Sequence, residues 1–105
     1  MEFPFEKKTR IRLPKVLASA QGEMCQLETP WCNYDPETTV AAHYNGGGKG
    51  LARKADDFLI VYACSDCHRW LDEGAATKIE QDLYFFHGLI GTMRRLFEKR
   101  ILREM

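Results

Sequence analysis

Four cysteines carry the most specific chemistry in this sequence, and they fall into two pairs, Cys25 with Cys32 and Cys64 with Cys67. The run Cys64-Ser65-Asp66-Cys67-His68 sets two thiols three positions apart, a spacing that lets both grip one metal ion. Cys25 and Cys32 are more widely spaced, and Pro30 between them helps the loop return so that both thiols face one point. Structural zinc takes four ligands in a tetrahedron, commonly four thiolates. We therefore assign Cys25, Cys32, Cys64 and Cys67 to one structural zinc. The competing readings are weaker. Buried free thiols would need no spacing. The Cys-x-x-Cys-His run also matches a c-type haem attachment site, but that leaves Cys25 and Cys32 unexplained. A zinc deaminase needs His-x-Glu, and His43 is followed by Tyr44 and Asn45.

The elements that must position these groups can be read from pattern. Pro14 suits a first helical turn, and a short helix over Pro14–Gln21 can stop at Gly22. Asp35-Pro36 signals a turn. Thr38–Tyr44 reads as a short strand with His43 near its end, and Phe58–Ala63 as a buried strand that delivers Cys64. Cys64–Glu73 reads as a short helix ended by Gly74. Thr77 and Glu80 form a capping box for a long C-terminal helix. In that helix Ile79, Leu83, Phe86, Ile90, Met93, Phe97 and Ile101 make one apolar stripe, and Gly88 and Gly91 mark a bend or a close contact. Trp31 and Trp70 are expected to pack beside the metal, with base stacking as the alternative. His87 is expected to play no part in chemistry.

Composition bounds the class. With 45% hydrophobic and 29% charged residues in 105, one small globular α+β domain is expected. We divide it into a basic arm with a short helix (1–24), a metal-bound core (25–74) and a C-terminal helix (75–105). No apolar run reaches membrane-spanning length, and the N-terminal residues lack the apolar stretch of an export signal, so a reducing cytoplasm is expected. The net charge is zero but uneven: +2 over residues 1–24, −5 over 25–93 and +3 over 94–105. The chain as a whole is therefore no electrostatic glove for nucleic acid. The run Asn45–Gly50 lacks the Lys-Ser or Lys-Thr of a phosphate-binding P-loop, so no nucleotide site is inferred.

A strand ending in His43, a glycine-rich loop, a segment led by Asp57 and then Cys-x-x-Cys-His on a helix follow the order of an HNH, or ββα-metal, nuclease. Cys25–Cys32, Pro36-Glu37-Thr38-Thr39-Val40-Ala41-Ala42-His43 and Ala63-Cys64-Ser65-Asp66-Cys67-His68 resemble the phage and prophage nucleases of the YbcO and Ref type. The resemblance implies a zinc-bound HNH domain in a phage- or prophage-encoded protein of a bacterial cytoplasm. It implies DNA as substrate and, through the RecA-dependent Ref type, a RecA-type filament as a partner. It places a general base at His43 and a ligand for a catalytic Mg2+ or Mn2+ at His68. Asp57 stands nearest the family's middle asparagine. Ala42 occupies a position where many such enzymes carry a metal ligand. Asp72, four residues beyond His68 on the same helix face, is the candidate replacement, with a plain surface carboxylate as the alternative. Lys49, Arg53, Lys54 and Arg69 flank the site and are candidate phosphate contacts. The competing function is a non-catalytic zinc module that binds nucleic acid or a recombination protein. Oligomeric state is left open.

Overall fold

A four-residue strand forms the centre of the described residues, and the other strand and the helices pack around it. In the computed structural model, which describes residues 10–44, 56–73 and 76–104, this strand is β2 (Ile60–Ala63), and all four of its residues are buried. It pairs antiparallel with β1 (Val40–His43), in a register that sets Val40 opposite Ala63 and His43 opposite Ile60. Side chains alternate across the sheet. Val61, Ala63 and Ala42 face a cluster with Cys25, Leu27, Cys64, Cys67, Leu71 and Phe85. Ile60 and Tyr62 face a second cluster with Val16, Ala20 and Leu96.

Two strands alone are marginal in water, so the remaining polar edge of β2 must be satisfied elsewhere. Tyr62 shows how. Its N–H donates to the Thr92 hydroxyl at 2.9 Å, its carbonyl accepts from the Gln26 N–H at 2.7 Å, and its own hydroxyl pairs with Ser19 Oγ at 2.7 Å. Thr92 lies on the long helix α3, so one buried tyrosine ties three segments of chain to β2.

The order of elements is α1 (Pro14–Ala18), a 3-10 turn (Pro36–Thr38), β1, β2, α2 (Ser65–Glu73) and α3 (Lys78–Glu98). The expected helix after Pro14 stops earlier, at Ala18, and the chain then turns through Gly22 at φ +79°. The expected second strand begins two residues later than Phe58. Asp56 and Asp57 hold a turn closed by the Leu59 N–H to the Asp56 carbonyl, and Phe58 is left exposed. Thr77 and Glu80 do form the capping box of α3. The helix does not run on to the C-terminus. Arg100 takes the left-handed conformation at φ 60°, and the N–H groups of Arg100 and Ile101 return to the carbonyls of Phe97 and Leu96. This is a Schellman stop with arginine where glycine is usual, so no residue type announced it.

The apolar stripe of α3 is the larger departure. Phe85, Gly88, Thr92 and Leu96 form the buried face, while most of the stripe faces solvent. Gly88 is inside because the backbone of Gln26 and Leu27 passes against it. A methyl group there would meet Gln26 O at 3.2 Å and Leu27 Cα at 3.3 Å. At Gly91 the added methyl would meet only the end of the flexible Gln26 side chain. The two glycines are therefore expected to respond oppositely to alanine. Gly91→Ala should raise stability by up to ~1 kcal/mol through helix propensity. Gly88→Ala should lower it by about 1 kcal/mol, because buried backbone has to move. Denaturant melts of both variants check this.

Candidate metal centre and the His43–Asp57 pair

The loop from Cys25 to Cys32 leaves the edge of β2, turns at Glu28 with φ 51°, and closes with the Cys32 N–H on the Thr29 carbonyl at 3.0 Å. Leu27 is fully buried beneath it and anchors the loop. Cys64 ends β2 and Cys67 lies in the first turn of α2. The four sulfurs lie within 4.8 Å of one another, and all four cysteines are free thiols. A tetrahedron with Zn–S bonds of ~2.3 Å has S···S edges of about 3.8 Å, and Cys32 and Cys64 stand 3.8 Å apart. Donors also point at the sulfurs, as they do around thiolates that ligate a metal. The Asn33 and Cys67 N–H groups approach Cys64 at 3.4 Å, and the Thr29 hydroxyl lies 3.1 Å from Cys67. The residues therefore fit a metal such as zinc.

The acidities agree with that chemistry. A hydrogen bond from Cys67 lowers the Cys25 thiol to about 5 against the effect of burial. Cys67 is pushed up by the same contact and by burial, and burial raises Cys32 to about 11. One thiolate forms readily here and opposes the next, so four together need a cation between them.

At the opposite end of β1, His43 meets Asp57. Its Nε2 lies 2.9 Å from Asp57 Oδ1. A carboxylate only accepts, so Nε2 carries the hydrogen and the neutral ring keeps its lone pair on Nδ1. Asp57 is fully buried and held from several sides. Arg10 Nη2 donates at 3.1 Å, the Leu13 N–H at 2.7 Å, and Arg12 Nε stands at 3.6 Å. The Asp57 N–H donates to the Ile11 carbonyl at 3.0 Å, and the Ile11 N–H to Asp56 at 2.7 Å. Burial raises the Asp57 pKa, but the bonds from His43, Leu13 and Arg10 outweigh it and hold the group well below the usual carboxylate range. Sequence reasoning had missed Arg10 and Arg12 here. The available signal was their alternation, which puts both on one side of an extended segment.

His68 and Asp72 share a face of α2, with Nε2 and Oδ2 3.6 Å apart and both side chains solvent-accessible. Among the described residues no hydrogen bond joins this pair to His43 and Asp57. Arg69 is exposed and only 3.8 Å from Asp66. Lys49, Arg53 and Lys54 lie outside the described residues. Trp70 packs edge-on against Tyr84 at 5.2 Å between ring centroids, beside the cysteine cluster. Trp31 corrects its expectation. It is exposed and lines a surface groove with Trp70, Asp66, Arg69 and Glu73, because the turn at Thr29 sends it outward. His87 is exposed and pairs with Glu28 at 3.0 Å. Ala42, whose side chain is buried against the cysteine cluster, leaves no room for a ligand to reach solvent from that position.

Two outcomes follow from this geometry. Metal analysis should find one zinc per chain. Chelation or Cys64→Ser should then unfold the protein by circular dichroism, because such a site contributes on the order of 10 kcal/mol to folding. Asp57 adds a pH dependence. Its folded pKa lies below its unfolded value, so the unfolded chain binds the extra proton first as pH falls. The stability it contributes is complete above about pH 4 and is lost as pH falls below that. Asp57→Asn should be less stable at pH 7 and show a shallower acid limb than the parent.

The family model and the curated relatives that this chain matches carry one description. A family model described as "Putative nuclease YbcO" matches residues 14–101. The "Putative nuclease YbcO" of Escherichia coli (strain K12) is 41% identical over 56 residues, which cover 51% of this chain and 58% of that protein. The protein of the same description from Enterobacteria phage 82 matches to the same extent. The chain thus spans 58% of the length of these curated relatives. A solved structure titled "Structure of a putative bacteriophage protein from Escherichia coli str. K-12 substr. MG1655" superposes with a TM-score of 0.66 at 25% identity, covering 80% of this chain and 98% of that one. With the family model covering the segment from α1 through α3, this chain belongs to the YbcO family.

Proposed function

We propose that this protein is a metal-dependent endonuclease of the HNH type that hydrolyses DNA phosphodiester bonds. The observation that carries the proposal is the His43–Asp57 hydrogen bond at 2.9 Å. It fixes the ring and leaves Nδ1 as the acceptor of a proton from water, which is the task of a general base. The order β1, β2, α2, with His43 ending the first strand and His68 on the helix, supports the same class. The family's printed description supports the nuclease reading.

In the reaction, His43 Nδ1 takes a proton from water as its oxygen bonds to phosphorus, and the bond from phosphorus to the 3′ oxygen breaks. Asp57 holds the resulting imidazolium and stabilises its charge. His68 and Asp72 are the side chains that would hold Mg2+ or Mn2+, which when bound stabilises charge on the phosphate and the leaving oxygen. Their separation of 3.6 Å and their exposure suit two ligands of one ion. Lys49, Arg53, Lys54 and Arg69 would hold flanking phosphates, with affinity that falls as salt rises. Cys25, Cys32, Cys64 and Cys67 would hold a zinc that fixes α2 in place.

A second reading has its own observation. Ala42 offers no ligand, and its buried setting means that the missing ligand cannot be restored there. A non-catalytic zinc module that binds nucleic acid or a recombination protein would have no use for one.

A cleavage assay on single-stranded and duplex DNA with Mg2+ or Mn2+, with and without RecA and ATP, separates the readings. His43→Ala with its zinc retained should lose ~10² to 10⁴ in rate, and Asp72→Asn should raise the cation concentration needed. A parent protein that binds DNA, retains zinc and cleaves under none of these conditions would establish the second reading. RecA-dependent cleavage would place the enzyme in recombination.

A further inference from the structure

Most of the large apolar side chains of α3 lie off its buried face. Ile79, Leu83, Phe86, Ile90 and Phe97 are 72%, 65%, 62%, 57% and 51% exposed. With half-buried Met93 they recur along the helix at steps of four, three, four, three and four. That rhythm is the a/d seam of a coiled coil, kept over nearly the whole 21-residue, roughly 30 Å length of α3. The apolar surface continues onto the body of the protein, where Phe86 lines a groove with Tyr44, Leu59, Asp82, Phe85 and Leu89. An exposed apolar surface of this extent is a docking surface.

We propose that this face pairs with the same face of a second copy of the chain, with the two α3 helices antiparallel about a two-fold axis at Gly88. That register sets Ile79 on the second copy's Phe97, Leu83 on its Met93 and Phe86 on its Ile90, so every apolar residue of the seam gains an apolar partner. A face that is its own complement under a two-fold axis is what a symmetric dimer requires.

Charge selects the direction. Glu80, His87 and Arg94 follow the solvent edge of the seam at seven-residue steps. Antiparallel packing brings Glu80 beside the second copy's Arg94, and symmetry makes that pair twice. Arg94 is 82% exposed, and its contact with Glu98 at 3.5 Å is a weak surface pair that exchanges readily. Parallel packing would instead gather Glu80 and Asp82 of both copies at one end and Arg94 and Arg100 at the other. On the opposite flank Leu89 and Leu96 pack against the chain's own core, and Asp82 is already paired with Lys78. The pairing does not depend on the nuclease reading.

Sedimentation equilibrium of the zinc-loaded chain at increasing concentration tests this. The expected mass is twice 12.1 kDa, and Ile90→Glu should weaken association by at least ~30-fold. Ile90 is exposed, so the variant should keep its zinc and its melting temperature at monomer concentrations. Arg94→Glu should weaken the dimer by about tenfold, and Glu80→Gln, which keeps the capping box, should weaken it as well. A parent that stays monomeric at high micromolar concentration overturns the proposal. So does a dimer that Ile90→Glu leaves intact. Association left unchanged by both charge variants overturns the antiparallel register.

Discussion

Four thiols brought within 4.8 Å of one another are the constraint on which the rest of the structure depends. Their positions come from three different local structures: a returning loop, the end of β2 and the first turn of α2. Bringing them together fixes the loop against the sheet and aims the axis of α2. A two-stranded sheet with four-residue strands could not impose that geometry through backbone pairing alone. Deprotonated sulfurs at this spacing repel, so a cation such as zinc, with the N–H and hydroxyl donors around the sulfurs, would stabilise the arrangement.

The second organising group is Asp57, and it works by the reverse logic. It is a buried charge compensated by cations and N–H donors, not a set of like charges around a metal. Its partners come from the segment before α1 and from the end of β1. One carboxylate thereby closes the N-terminal segment onto the sheet and orients the ring of His43. Structure and proposed chemistry meet in that group, because the bonds that keep it ionised also leave Nδ1 of His43 ready to accept a proton. The departure at Ala42 fits the same packing. That position faces the cysteine cluster, so β1 can present His43 to solvent only by keeping its neighbour apolar.

The long helix shows how a small domain divides its surfaces. Its buried face contains a glycine and a threonine because it must let the Gln26–Leu27 backbone approach closely and must offer a hydroxyl oxygen to the Tyr62 N–H. Bulky residues would prevent both. Apart from Phe85 and Leu96, the large apolar residues stand on the neighbouring face, where heptad spacing suits a second helix better than a sheet.

The sequence by itself determined the features whose chemistry is carried by residue type and short spacing. Four cysteines in two pairs point to a group able to hold a metal, because together they can supply four thiolates. Thr77 and Glu80 specify a helix start because a capping box closes within one turn. Pro14 marked the start of the first helical segment because its fixed φ suits a first turn. Tertiary structure alone decided the features that depend on which distant segments meet. It placed Arg10 and Arg12 on Asp57, 47 and 45 positions away in the chain, and it turned Trp31 outward. It also chose the inner face of α3, against the hydrophobic pattern. A periodic stripe says that a helix has an apolar face. It does not say whether that face meets the chain's own core or something else, because burial is non-directional and close backbone approach is not.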